Sequence, residues 1–309
     1  MKNKTKKILA GACLGLVGMG CLTGCAMSDE QKAALDLITE KSDEIVNLLE
    51  DNLTYNNEKL SKEAAFDMLK HARIKSQYVL NESNICSLSV TMEDELDDNS
   101  FMKMEAVYDF SQDIKKMMVS FTDAENNKDI SIASCDLENN NNSYQAQYIN
   151  DQPVLEGLSE GWYAINVNPN IDALSQAGIQ TINLEDITRV TVNDAGEYIF
   201  NVMKTSIYKQ NSEYVQVVNF AEIVVKDYLF KSVKVQNISK EGSDLSFVKD
   251  INDGNIEDGY GSYLFSGTIT TLINMTAEYK YGNEVSLEEL NSRIVDIDAK
   301  IVSGELSID

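Results

Sequence analysis

The chain has 309 residues, with 26 Lys and Arg against 50 Asp and Glu, a single His, a formal net charge of -24 and 8% aromatic residues. So acidic a protein repels phosphate backbones and anionic lipid head groups, which argues against nucleic-acid binding and against polybasic attachment to a membrane surface. The lone histidine, His71, supports no multi-histidine metal site, while 43% hydrophobic residues over this length can fill one large or two small packed domains.

Lys2, Lys4, Lys6 and Lys7 precede an apolar run that starts at Ile8, the layout of a secretory signal. The run is too short to span a bilayer, and Gly11, Gly15, Gly18 and Gly20 lower its helix propensity. It ends in Leu22-Thr23-Gly24-Cys25, where two small side chains let a peptidase reach the backbone and a thiol offers a nucleophile for alkylation. This motif resembles the lipobox of bacterial lipoproteins. The resemblance implies that residues 1–24 are a signal peptide removed in front of Cys25. It further implies that Cys25 carries a diacylglyceryl thioether of palmitate-type chains, and that the mature protein sits on the extracytoplasmic side of the cell membrane. Acyl chains contribute about 0.8 kcal/mol per buried CH2, so a diacylated cysteine anchors without basic residues. The first 24 residues hold four of the 26 basic residues and none of the 50 acidic ones. The acidity therefore belongs to the mature chain, which is pushed off anionic lipid and needs the tether.

In the mature chain, residues 25–82 read as a helical segment. Leu35, Ile38, Ile45, Val46, Leu48 and Leu49 recur at helical spacing between Ser28 and Glu50, with Glu and Lys elsewhere. After a polar break from Asn52 to Asn57, Ser61 can cap a second helix through Ala64, Ala65, Met68, Leu69 and Ala72. His71 falls near its C-terminal end and reads as a solvated helix-end residue.

From about residue 84 the period changes from 3.6 to 2. Cys86, Leu88, Val90 and Met92 alternate with polar neighbours, as do Met102, Met104, Ala106, Tyr108 and Phe110, and then Met117, Val119 and Phe121. Asn168, Pro169, Ile171, Ala173, Leu174 and Gly178 predict a short helical insertion with its own start and stop. Strands resume around a hairpin at Asn193-Asp194-Ala195-Gly196 and continue through Tyr214 to Phe220, Ala221 to Lys226, Leu229 to Val235 and Tyr263 to Tyr281. Ser286 to Leu290 reads as one or two helical turns. Of the five cysteines, Cys86 and Cys135 remain in the folded part. An exported location permits a disulfide between them, worth about 3–4 kcal/mol in the chain-entropy picture, and two buried, inert thiols fit equally well.

This order gives an α+β class, with N-terminal helices followed over residues 83–309 by a long antiparallel curved sheet, a half-barrel, with a short helical insertion. Gly161-Trp162-Tyr163-Ala164-Ile165, the hairpin at Asn193 to Tyr198 and the run from Glu222 to Val235 carry a resemblance to the LolA-like unclosed β-barrel lipoproteins. That resemblance implies a hydrophobic cavity for acyl chains or a peptide. Met92, Met102, Met104, Met117 and Met118 crowd the first strands and supply a candidate apolar ligand face, since thioethers adapt to irregular ligands.

Signatures of catalysis and of metal binding are weak. No nucleophile has a base beside it, Ser246-Phe247-Val248-Lys249 stands in the wrong order relative to Lys204-Thr205-Ser206 for a penicillin-binding enzyme, and there is no Walker or dinucleotide motif. The acidic loops Glu93 to Asn99 and Asp250 to Asn255 do not fit a calcium-binding register and read as solvated turns. The expectation is a lipid-anchored binding protein without enzymatic activity or cofactor. Its alternative is an envelope interaction protein whose acidic surface recognises a basic partner.

Overall fold

The computed structural model of the chain describes residues 54–55, 58–59, 61–77, 84–136, 143–156, 172–210, 213–242 and 268–307. The expected signal, Cys25, the first expected helix, Gly161 to Ile165 and the loop from Asp250 to Asn255 lie outside them. Two short strands, β1 (Thr54–Tyr55) and β2 (Glu58–Lys59), pair with each other and precede helix α1 (Lys62–Gln77). Ser61 caps α1, its Oγ accepting the Ala64 amide at 3.2 Å, and Ala65, Leu69, Ala72 and Ser76 form its buried stripe. No helix among the described residues is long and apolar enough to cross a membrane.

Strands β3 (Ile85–Asp94), β4 (Asp97–Asp109), β5 (Ile114–Asp123), β6 (Lys128–Asp136), β7 (Tyr144–Ile149) and β8 (Gln152–Glu156) follow as a meander. Helix α2 (Ala173–Gln176) interrupts them before β9 (Ile187–Val192), β10 (Tyr198–Gln210), β11 (Glu213–Lys226), β12 (Leu229–Gly242) and β13 (Thr268–Tyr281), and helix α3 (Glu288–Ser303) ends the chain. The strands form one eleven-stranded sheet in the order β8-β7-β6-β5-β4-β3-β13-β12-β11-β10-β9. Its two end strands are not bonded to each other, so the sheet is unclosed and the expected α+β class holds. The edge strand β8 carries Pro153, which has no amide to donate and is tolerated where no further strand follows.

The chain divides into two compact units. The first contains residues 1–72, 93–100 and 173–275. Here β10 and β11 pair without interruption from Tyr198↔Val225 to Gln210↔Glu213, so the two strands expected over Tyr214 to Lys226 are one. The turn between β11 and β12 holds Asp227 and Tyr228 at φ 53° and 60°, the left-handed pair that a two-residue hairpin requires. Helix α2 stops at Gly178, φ 82°, where the Ile179 amide reaches back to the Leu174 carbonyl at 2.8 Å. Phe200, Val202, Ala221, Ile223, Val233 and Val235 are buried on one face of this part of the sheet, and Asn219 and Asn237 satisfy each other there at 2.6 Å.

The second unit contains residues 73–92, 101–172 and 276–309. Helix α3 is far longer than the turn or two expected. Leu290, Ile294 and Ile297 point one way and pack on Met118, Ile130, Ile132, Tyr144 and Ala146, and that burial carries the helix beyond its local propensity. Gly304, φ 77°, closes it in the left-handed conformation. Polar contacts fix its azimuth: the Tyr144 hydroxyl donates to Asp298 at 3.1 Å, and the Arg293 guanidinium lies over the Tyr148 ring at 4.5 Å. Partial burial would raise the Glu289 carboxyl, but the Arg293 hydrogen bond and the Lys128 charge outweigh it and hold the group below its ordinary range. In the same unit, Arg73 near the end of α1 donates from Nε and Nη2 to Asp172 Oδ2, at 3.1 and 2.7 Å.

Candidate functional site, an apolar sheet face

Alternation gives β4 to β8 two faces, and α3 covers only the one that bears Met118. The other face can be read from the strand registers. Met102 lies opposite Asp123, Met104 opposite Phe121, Ala106 opposite Val119 and Tyr108 opposite Met117. Across the next pairings Met117 meets Ala133, Val119 meets Ser131 and Phe121 meets Asp129. Gln145, Gln147, Ile149 and Val154 extend the same face to the edge. Directly opposed side chains have their Cβ atoms about 4.5–5.5 Å apart, so these rows form a continuous surface.

The surface has a closed end and an open end. At the closed end Cys86, Tyr108, Phe110, Ala133 and Cys135 are buried, with Tyr108 and Phe110 edge to face at 6.2 Å. Desolvation pushes the Cys86 thiol up to about 12 and also raises the Tyr108 and Tyr281 phenols, so each stays protonated at neutral pH. These groups are packing, with no activated nucleophile among them. Both cysteines are free thiols. Strands β4 and β5 stand between β3 and β6, which places their backbones about 14 Å apart and beyond disulfide reach.

At the open end Met102, Met104, Met117 and Val119 are half-buried, and Phe121, Ile149 and Val154 are 43%, 55% and 44% exposed. From Met117 to Phe121 the open stretch of β5 runs about 14 Å. Among the described side chains of this face from β4 to β7, the charged ones are Lys115, Asp123 and Asp129. Lys115 Nζ is engaged at the strand end by the Phe110 and Gln112 carbonyls, at 3.0 and 2.7 Å. Asp123 accepts from the Asn127 side chain and from the Glu125 and Asn127 amides, which keeps its carboxyl below the usual range and ionised.

The five methionines singled out in the sequence therefore do not share one face. Met102, Met104 and Met117 lie on the open surface, and Met92 continues the buried side of β3 with Cys86, Leu88 and Val90. Met118 belongs to the opposite side, under α3, because it adjoins Met117 in a strand. Phe121, Ile149 and Val154 were not singled out in the sequence, although parity with Met117 and the apolar positions of β7 and β8 were readable. His71 is exposed, edge to face with Tyr228 at 6.3 Å between ring centres. The acidic turn at Asp94 is held locally, with the Leu96 amide on Asp94 and the Asp94 amide on Ser100 Oγ. No three His, Cys, Asp or Glu side chains converge to hold a metal among the described residues.

Fold and face together define an α+β protein with an unclosed antiparallel sheet, a helix packed on one side of its second unit and an open apolar surface on the other. Compared with known proteins, the chain matches no family model, no curated protein and no solved structure.

Proposed function

We propose that the chain is a lipid-anchored binding protein of the extracytoplasmic side of the cell membrane, and that it holds a hydrophobic or amphiphilic ligand against the Met102, Met104, Met117 and Phe121 surface. The observation that supports this reading most is the asymmetry of the second unit's sheet. One face is filled by α3, whereas its other face keeps Phe121, Ile149 and Val154 exposed, with the thioethers of Met102, Met104 and Met117 half-buried on β4 and β5. Such a surface costs solubility unless something apolar covers it in use. The protonated Cys86 thiol and Tyr108 phenol at its closed end suit binding better than chemistry. The signal-like N-terminus and Cys25 support a ligand drawn from a membrane.

Two measurements test this. Metabolic labelling with a fatty acid is expected to mark the wild type and to leave a Cys25→Ala variant unmarked; equal label in both contradicts the anchor. Native mass spectrometry of the protein purified from bacterial membranes is expected to show adducts with the mass of a lipid or other amphiphile. A bare chain, with no uptake of a neutral or cationic fluorescent amphiphile, contradicts the ligand.

A further inference from the structure

We infer that the ligand's polar end is cationic: the open face fits an amphiphile with an apolar body and an ammonium or similar positive group, seated beside Phe121, Asp129 and Asp123. The inference rests on the reading of that face as a ligand surface and adds its charge specificity. Asp129 lies directly opposite Phe121, and Asp123 lies opposite Met102, so both carboxylates border the exposed apolar end of the patch on its own face. Asp129 is exposed, and Asp123 is kept ionised by its turn. Lys115, the one basic side chain among the described residues of this face from β4 to β7, is engaged by carbonyls at the far end of the strand and is six residues along β5 from Phe121. A negative head group would meet two carboxylates, with no cation beside them among the described side chains of this face from β4 to β7. The net charge of -24 adds a long-range field of the same sign. A positive head group would meet those carboxylates and the face of the Phe121 ring, which attracts cations through its quadrupole.

The experiment uses the mature chain from residue 25 onward, carrying Cys25→Ser, and three probes with the same apolar chain: dodecyltrimethylammonium, dodecyl maltoside and dodecyl sulfate, each below its micellar concentration. Calorimetric titration is expected to rank them cationic, then neutral, then anionic. Exposed charge contacts and cation–π contacts correspond to about a two- to five-fold change in affinity each. Asp129→Asn is therefore expected to weaken the cationic probe by that factor and to leave the neutral one unchanged. Phe121→Leu keeps the apolar area and is expected to do the same. Asp194→Asn, on the exposed hairpin of the other unit, removes an equal charge and is expected to leave all three affinities unchanged. Raising the salt to 0.5 M should compress the ranking, since exposed charges are screened within a few ångströms there. Binding of all three probes with no preference, or an anionic preference, overturns the inference and keeps the ligand surface. An Asp194→Asn loss equal to that of Asp129→Asn also overturns it, because net charge alone then accounts for the ranking. Failure of every probe to bind removes the ligand surface and the inference with it.

Discussion

Replacing Ile297 with alanine is expected to destabilise the protein by about 2–5 kcal/mol, the range for truncating a fully buried Ile or Leu. Ile297 is 0% exposed and sits with Leu290 and Ile294 on the side of α3 that meets Met118, Ile130, Ile132, Tyr144 and Ala146. The loss combines the transfer free energy of the removed methyl groups with the cavity they leave, and a 16-residue helix packed on a sheet collapses only partly around such a gap. Val295 provides the internal control. It lies two residues away on the outer side, 67% exposed, and Val295→Ala should change stability by less than about 0.5 kcal/mol. Urea titrations of the two variants would separate them. Equal midpoints for Ile297→Ala and Val295→Ala would contradict the placement of the helix.

Removing one half of the Arg73–Asp172 pair should have an effect of similar size. The Asp172 side chain is 6% exposed and that of Arg73 13%, and the guanidinium approaches one carboxylate oxygen from two nitrogens. Arg73→Met keeps the length and apolar stem but leaves a carboxylate in a site with little water, which costs about 3–5 kcal/mol for a buried pair. The double variant Arg73→Met with Asp172→Leu removes both charges and is expected to recover most of that loss, since two apolar groups have no desolvation to offset. Denaturant midpoints of wild type, both single variants and the double variant complete the cycle. Additive losses would mean that the two side chains do not act on each other.

Much of this architecture is written in short-range patterns. Period-2 alternation located β3, β4 and β5, because one side of each strand is packed and the pleat then dictates the spacing of Cys86, Leu88, Val90 and Met92. Turn chemistry at Asn193 to Gly196 and the stop at Gly178 were equally local: Asn193 Oδ1 accepts the Ala195 and Glu197 amides, and both glycines adopt positive φ. What escaped was set by tertiary burial. Helix α3 has Glu288 and Glu289 in its first turn and no side-chain cap, so its start is weakly marked; the apolar repeat at Leu290, Ile294, Ile297 and Ile301 acquires meaning only against β5 to β7. The candidate site was legible in part. Methionine content pointed to strands β3 to β5, but counting residue types without their parity joined Met118 to a face it cannot share. It also passed over Phe121, whose importance comes from being large, aromatic and exposed.

We propose that the open face of the second unit's sheet holds an apolar ligand. Titrating a neutral fluorescent probe with a long apolar chain into the mature chain tests it most directly when two exposed positions are compared. Phe121→Asp places a charge on the open face, where an apolar chain would have to cover it, whereas Val295→Asp places the same charge on the outer side of α3. Burying an unpaired carboxylate under a ligand costs several kcal/mol, so Phe121→Asp is expected to weaken uptake at least about ten-fold. Val295→Asp is expected to bind as the wild type does. Equal affinity in both variants, or the larger loss in Val295→Asp, would contradict the assignment of the ligand to this face.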